Sequence, residues 1–236
     1  MLEAVGVTKK FKRPNSKGFI YPLAGASLFV DDGERVGIFG KSGQGKSTFA
    51  NIVCGLLKPD GGNVYLNEFP LYGKRGGYDL NLGKKIQLIP QQPYLSFDPM
   101  QKVGNAVAEA LISSKNARGS REANVLAQSL FERVSLEKTL FDRLPAQLSG
   151  GQIQRVAIAR ALAVSPEIII SDESTAMLDT VSQAQVLDIY RSLADGGISV
   201  IAISHDIGLI NGFADRCYRL KNGKFNLINI SKKETF

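Results

Sequence analysis

Apolar positions along the chain follow two rhythms. Four short runs, Val36-Gly37-Ile38-Phe39, Lys85-Ile86-Gln87-Leu88-Ile89, Ile168-Ile169-Ile170 and Val200-Ile201-Ala202-Ile203, are rich in β-branched residues and apolar on both alternations. Such runs predict strands buried on both faces, as in a parallel sheet. The second rhythm is helical. It links Phe49, Ile52 and Val53 up to Gly55, then Ile153, Val156, Ala157 and Val164 up to Pro166, then Ala184, Leu187 and Leu193 up to Gly196-Gly197. Turn signals at Asp32-Gly33, Pro59-Asp60-Gly61-Gly62, Ser149-Gly150-Gly151 and Asn222-Gly223 separate the segments. Strands alternating with helices predict an α/β sheet wound with crossovers.

Residues 100–165 break the alternation. They read as helix after helix, with Val103, Val107, Ala110 and Leu111 on one face and Val125, Leu126 and Leu130 on another, and no strand pattern among them. Because strands resume at Ile168, this stretch is expected to be a helical insertion in one α/β domain. Its bounds are set at 93–163 within a single domain over 1–236.

Composition narrows the class. With 44% hydrophobic and 22% charged residues, a disordered, collagen-like or disulfide-scaffold chain is excluded. Cys54 and Cys217 form no C-x-x-C pair, which argues against a zinc module and for a reducing compartment. No window approaches 18 consecutive apolar residues and the start lacks a signal-peptide pattern, so the chain is expected not to cross a membrane by itself. Lys plus Arg exceeds Asp plus Glu by 29 − 22 = 7. That excess favours anionic partners, although without a run of five or six like charges a solvated basic surface accounts for it equally well.

The chemistry begins at Gly40-Lys41-Ser42-Gly43-Gln44-Gly45-Lys46-Ser47, followed by Thr48, which fits G-x-x-x-x-G-K-[ST] between a predicted strand and a predicted helix. Glycines let the backbone wrap phosphates, the helix N-terminus adds positive dipole, Lys46 reaches the β- and γ-phosphates and Ser47 ligates Mg²⁺. A magnesium nucleotide needs an acid at the end of another strand. The run into Asp172-Glu173 supplies one, with Asp172 orienting Mg²⁺ and Glu173 acting on the attacking water. Leu148-Ser149-Gly150-Gly151-Gln152 opens another helix, with Ser149 as N-cap. On local physics it is either an ordinary capped loop or a second anion grip.

The phosphate loop, the LSGGQ run at 148–152 and Asp172-Glu173, in this order, resemble the nucleotide-binding domain of ATP-binding cassette (ABC) proteins over about residues 1–225. The resemblance implies a P-loop NTPase (RecA-like) core with a helical subdomain insertion and an N-terminal β subdomain, using ATP and Mg²⁺. It implies that Ser149, Gly150, Gly151 and Gln152 of one subunit close over the nucleotide held by another. Gln91 matches the family's glutamine loop, where it senses Mg²⁺ and the water, although Pro90 departs from the usual aromatic residue. Ala176-Met177-Leu178-Asp179 matches the D-loop, with Ser174 and Ala176 departing from the usual Pro and Ser. His205, the only histidine, matches the switch histidine that contacts the γ-phosphate. Phe11 lies where an aromatic stacks on adenine, with Phe19 or Tyr21 as substitutes.

The resemblance further implies an ATPase subunit at the cytoplasmic side of the membrane. Its expected partners are transmembrane permease subunits, a second cassette and, indirectly, an extracytoplasmic solute-binding protein, with no nucleic acid. A soluble ABC ATPase acting on nucleic acid or in cluster assembly is the alternative, but the chain has no sustained heptad pattern and only one phosphate loop. Residues 86–99, with Gln91, Pro93, Ser96 and Pro99, resemble the glutamine-loop segment of peptide- and nickel-importer ATPases. The chain's 31 residues after His205 resemble the shorter, nickel or metal-complex form.

Overall fold

In the computed structural model, residues 1–13, 17–73, 76–174 and 178–228 are described. The chain runs β1 (Leu2–Lys12), β2 (Phe19–Val30), β3 (Arg35–Phe39), α1 (Lys46–Val53), β4 (Gly61–Leu66), β5 (Phe69–Pro70), α2 (Leu80–Gly83) and β6 (Ile86–Ile89). Then come α3 (Val103–Ser113), α4 (Ser120–Arg133) and α5 (Gly150–Leu162), with only short 3₁₀ turns between them. β7 (Ile168–Asp172), α6 (Thr180–Asp195), β8 (Ser199–Ser204), α7 (Ile207–Phe213), β9 (Arg216–Lys221) and β10 (Lys224–Ile228) complete it. Among the described residues no helix is long and apolar enough to cross a membrane.

Two sheets form. The smaller, in the order β2-β1-β4-β5, is antiparallel; the larger, β10-β9-β3-β8-β7-β6, is parallel apart from its β10 edge. The larger sheet is a septum between two cores. Val36, Ile38, Ile168, Ile170, Ile201 and Ile203 face a core shared with α1 and the smaller sheet. Phe39, Ile169, Val200 and Ala202 face the core under α3 to α6. Alternate residues of one strand are therefore buried on opposite faces, and this is why these strands read as unbroken apolar runs.

The helical stretch between β6 and β7 differs in detail from the expected pattern. On α3, Val103, Val107 and Leu111 are buried and Ala110 is half-buried. On α4 the buried stripe is Ala123, Ala127 and Phe131; Leu126 and Leu130 flank it and Val125 points to solvent. On α6, Val186, Ile189, Tyr190 and Leu193 are buried, whereas Leu187 is half-buried and Ala184 exposed. α5 stops at Leu162, so Val164 lies in the turn that Ser165, at a φ of 55°, makes before Pro166. Cys54 and Cys217 are unpaired, and burial pushes their thiols up to about 12 and about 11, leaving both poorly nucleophilic.

Candidate active site

Four neighbouring parallel strands end at one level. Phe39 pairs with Ser204, Asp172 with Ile203 and Ile89 with Ser171, so the residues that follow each strand, Gly40, His205, Glu173 and the Pro90-Gln91 turn, gather along one edge. Carboxyl ends of parallel strands are where open α/β sheets bind ligands, because the chain leaves the sheet there and exposes backbone N–H groups and helix N-termini.

The loop from Gly40 to α1 is shaped by its glycines. Gly45, at a φ of 106°, is the N-cap of α1, and a Cβ there would lie 2.6 Å from the Pro22 carbonyl oxygen of β2. A Cβ on Gly40 would lie 2.7 Å from the Gln44 amide oxygen, which accepts from the Lys41 N–H at 2.9 Å. Lys46 is only 4% exposed, and its ammonium donates to the carbonyls of Gly40 (2.9 Å) and Lys41 (3.2 Å). It also lies 3.3 Å from Glu173 Oε1. The cation is thus held at the mouth of the loop by a carboxylate from the next-but-one strand.

Glu173 is the convergence point. Its Oε2 accepts from Gln91 Nε2 at 3.5 Å and lies 3.7 Å from His205 Nδ1, so Lys46, Gln91 and His205 all face one carboxylate. Its backbone has a φ of 48°, and its N–H still donates to Ile203 O on β8 at 2.9 Å. Asp172, one residue earlier, is buried. Burial pushes its carboxyl above the usual carboxylate range, the Ser47 hydroxyl and Lys46 oppose that, and Glu173 adds repulsion. Asp172 Oδ1 has no hydrogen-bond partner among the described residues. An orphaned buried carboxylate oxygen beside a hydroxyl is a hard oxygen donor set, which fits Mg²⁺.

The second glycine-bearing loop is built separately. Ser149 caps α5 in a reciprocal box: its hydroxyl accepts from Gln152 N at 3.2 Å and Gln152 Oε1 accepts from Ser149 N at 2.9 Å. Gly150 is exposed, whereas a Cβ on Gly151 would meet Ser182 Oγ at 2.6 Å. Asp179 caps α6 and accepts from Ser182 N (2.9 Å) and Ser182 Oγ (2.6 Å). Among the described residues no hydrogen bond or ion pair joins Ser149, Gly150, Gly151, Gln152 or Asp179 to the loop at 40–48. Of the expected D-loop, Ala176 and Met177 lie outside the described residues. Phe11 is half-exposed on β1 with the Lys9 ammonium 5.7 Å from its ring centre, and Phe19 and Tyr21 on β2 are also exposed.

Some contacts around the site had no signal in the sequence pattern. Arg160 of α5 donates to Ser96 O (2.6 Å) and Ser96 Oγ (2.7 Å) and lies 4.2 Å from the Phe97 ring centre, fastening the segment after Gln91 to the helix that Ser149 caps. Gln154, Ser171, Ser174 and Tyr190 form a buried cluster behind Glu173. The departure of Ser174 from proline was the one hint of it.

A family model described as ABC transporter matches residues 23–176, which include the phosphate loop, the LSGGQ run and Asp172-Glu173. The chain belongs to the ABC transporter family. It is accordingly an ATP-binding cassette, an ATPase coupled to transport. It is 34% identical to the oligopeptide transport ATP-binding protein OppF of Bacillus subtilis over 95% of this chain and 73% of that one. With the nickel import ATP-binding protein NikE of Pseudomonas putida it shares 36% identity over 88% of this chain and 76% of that one. Among solved structures, the dimeric post-hydrolysis state of the ATP-binding cassette MJ0796 bound to ADP and Pi matches with a TM-score of 0.84. That likeness carries 33% identity and covers 99% of this chain and 100% of that one.

Proposed function

We propose that this ABC cassette is the ATP-hydrolysing subunit of an importer for nickel, a related metal complex or short peptides, working at the cytoplasmic face of a membrane. The observation that carries the catalytic part is the convergence of Lys46, Gln91 and His205 on the Glu173 carboxylate. The loop at 40–48 grips the phosphates, and Lys46 turns from Glu173 to the β- and γ-phosphates when they arrive. Ser47 and Asp172, with the Gln91 amide oxygen, would hold Mg²⁺. Bound there, the ion would neutralise charge on the β- and γ-phosphates. Glu173 takes a proton from water as its oxygen attacks the γ-phosphorus; the bond to the bridging oxygen breaks and leaves ADP and inorganic phosphate. His205, exposed beside Glu173, contacts the γ-phosphate, and Phe11 stacks on the adenine.

Two cassettes make the working unit. Ser149 and the Gly150 and Gly151 backbone reach a γ-phosphate held by a second cassette, with Gln152 setting the cap and Asp179 setting α6 beside it. The absence of any bond between the two loops within one chain, among the described residues, supports this, as does the dimer seen for MJ0796. Permease subunits in the membrane supply the solute path, served by an extracytoplasmic solute-binding protein. The solute class is supported by the names of the relatives, which are oligopeptide, dipeptide and nickel proteins.

Turnover tests the catalytic roles. Glu173→Gln should bind ATP but hydrolyse it at least about a hundredfold more slowly, whereas Lys46→Ala should weaken ATP binding itself. Near-normal turnover in Glu173→Gln would sink the assignment. Uptake tests the solute: deletion in a strain without redundant importers should abolish nickel or dipeptide uptake, and persistence of both would refute the nickel and peptide reading while leaving the ATPase intact.

A further inference from the structure

We propose that Ser174 is a positioning residue for Glu173, tying the turn that carries this carboxylate to α5 through a buried network with Gln154, Ser171 and Tyr190. The inference rests on the reading of Glu173 as the group that acts on water.

Glu173 needs outside support because its φ of 48° is a conformation that side-chain-bearing residues adopt reluctantly, so neighbouring structure must hold it there. Upstream, β7 and the bond from Glu173 N to Ile203 O fix the chain to the sheet. Downstream, the first fixed point is Ser174, only 4% exposed. Its hydroxyl oxygen lies 2.6 Å from Ser171 Oγ and accepts from Gln154 Nε2 at 2.8 Å. Gln154 is 1% exposed and its Nε2 also lies 3.5 Å from Tyr190 OH. Three elements, β7, α5 and α6, therefore meet at side chains that bracket Glu173 on both sides.

A proline at 174, usual in the family this chain resembles, restricts φ through its ring but has no hydroxyl. Serine gives up that restriction and substitutes a side-chain tie. The tie is not the cheapest way to fill the space. Gln154 Oε1 has no hydrogen-bond partner among the described residues, and a buried amide half-satisfied in this way costs stability that an apolar side chain of similar size would not. Retaining it is understandable if the bond to Ser174 is needed where it is. Because Ser149 caps the same helix, α5 carries the second phosphate grip at its first residue and the anchor of Glu173 one turn later. A shift of α5 against a second cassette would reach the carboxylate through one hydrogen bond.

A double-mutant cycle on the full chain tests this, reading kcat and KM for ATP separately. Ser174→Ala and Gln154→Leu should each lower kcat about tenfold, within what misplacement of a reacting group costs, with KM for ATP unchanged. The double variant should be no slower than the slower single one. In a Glu173→Gln background, single-turnover hydrolysis should be the same with and without Ser174→Ala, because no carboxylate remains to misplace. Wild-type kcat in Ser174→Ala, multiplying losses in the double variant, or a further loss in the Glu173→Gln background would each overturn the positioning role. If Glu173→Gln is inactive while Ser174→Ala is normal, this inference alone fails. If Glu173→Gln is itself active, the reading beneath it fails too.

Discussion

Glycine at position 45 is fixed by two independent constraints, a φ of 106° and the Pro22 carbonyl where a Cβ would go, whereas Gly43 has only a positive φ and open space around it. Gly45→Ala should therefore cost at least about 2 kcal/mol and abolish ATP binding, while Gly43→Ala should cost about 1 kcal/mol; thermal melts with and without ATP would separate them. Asp172 invites a pH test. Its carboxyl titrates above the usual range because of burial, so the folded chain holds that proton more tightly than the unfolded chain does, and stability is lost as pH rises through the folded value. Asp172→Asn should thus melt higher than wild type at neutral pH without nucleotide, by a margin that shrinks as pH falls into the carboxylate range. It should gain less from ATP with Mg²⁺. An equal gain in both proteins would remove Asp172 from the metal. That these residues lie side by side was legible because the motifs read there fix residue types at fixed spacing within one loop or at one strand end. The Gln154–Ser174 and Arg160–Ser96 bonds join positions 20 and 64 apart with no spacing rule, so only the folded chain reveals them.

At the scale of elements, the central strands and the helices were legible, but the buried faces of α4 and α6 were not. The pattern weighted large apolar side chains and so favoured Val125, Leu126 and Leu130. On α4, however, Ala123 and Ala127 let the helix approach its neighbours closely and Phe131 fills the remaining space, leaving Val125 outside. Small residues bury as completely as large ones while carrying little hydrophobic signal. Phe131→Ala should cost about 3–5 kcal/mol through the cavity it leaves, and Val125→Ser should stay within about 0.5 kcal/mol of wild type, both read from denaturant midpoints. The reverse ranking would mean that α4 packs through the other face. The antiparallel strands β1, β2 and β4 escaped the pattern for a related reason. Their register shifts around Gly6 and Gly25 interrupt the period-two alternation that a half-buried strand otherwise shows.

For the whole molecule, the decisive feature is that the two loops proposed as phosphate grips lie in one chain with no bond between them among the described residues. The first is backed by Asp172 at the end of β7 and by Glu173 just after it; the other sits at the start of α5, where Gly151 is pressed against α6 and Gly150 is left exposed. A γ-phosphate seated in the first grip of one cassette and touched by the second grip of another supplies interface that ADP cannot, so dimer and nucleotide should be linked. Glu173→Gln, expected to bind ATP without consuming it, should accumulate as a dimer with ATP and Mg²⁺ and remain a monomer with ADP, as read by light scattering. Ser149 then separates capping from phosphate contact. Ser149→Asp keeps a side chain able to accept from Gln152 N, since aspartate caps as well as serine, but sets a negative charge against the incoming phosphate. In the Glu173→Gln background it should melt like its parent and bind ATP as a monomer, yet form no dimer. A dimer of undiminished stability in that variant would show that residues 149–151 only cap α5, and that the second cassette is held by some other surface.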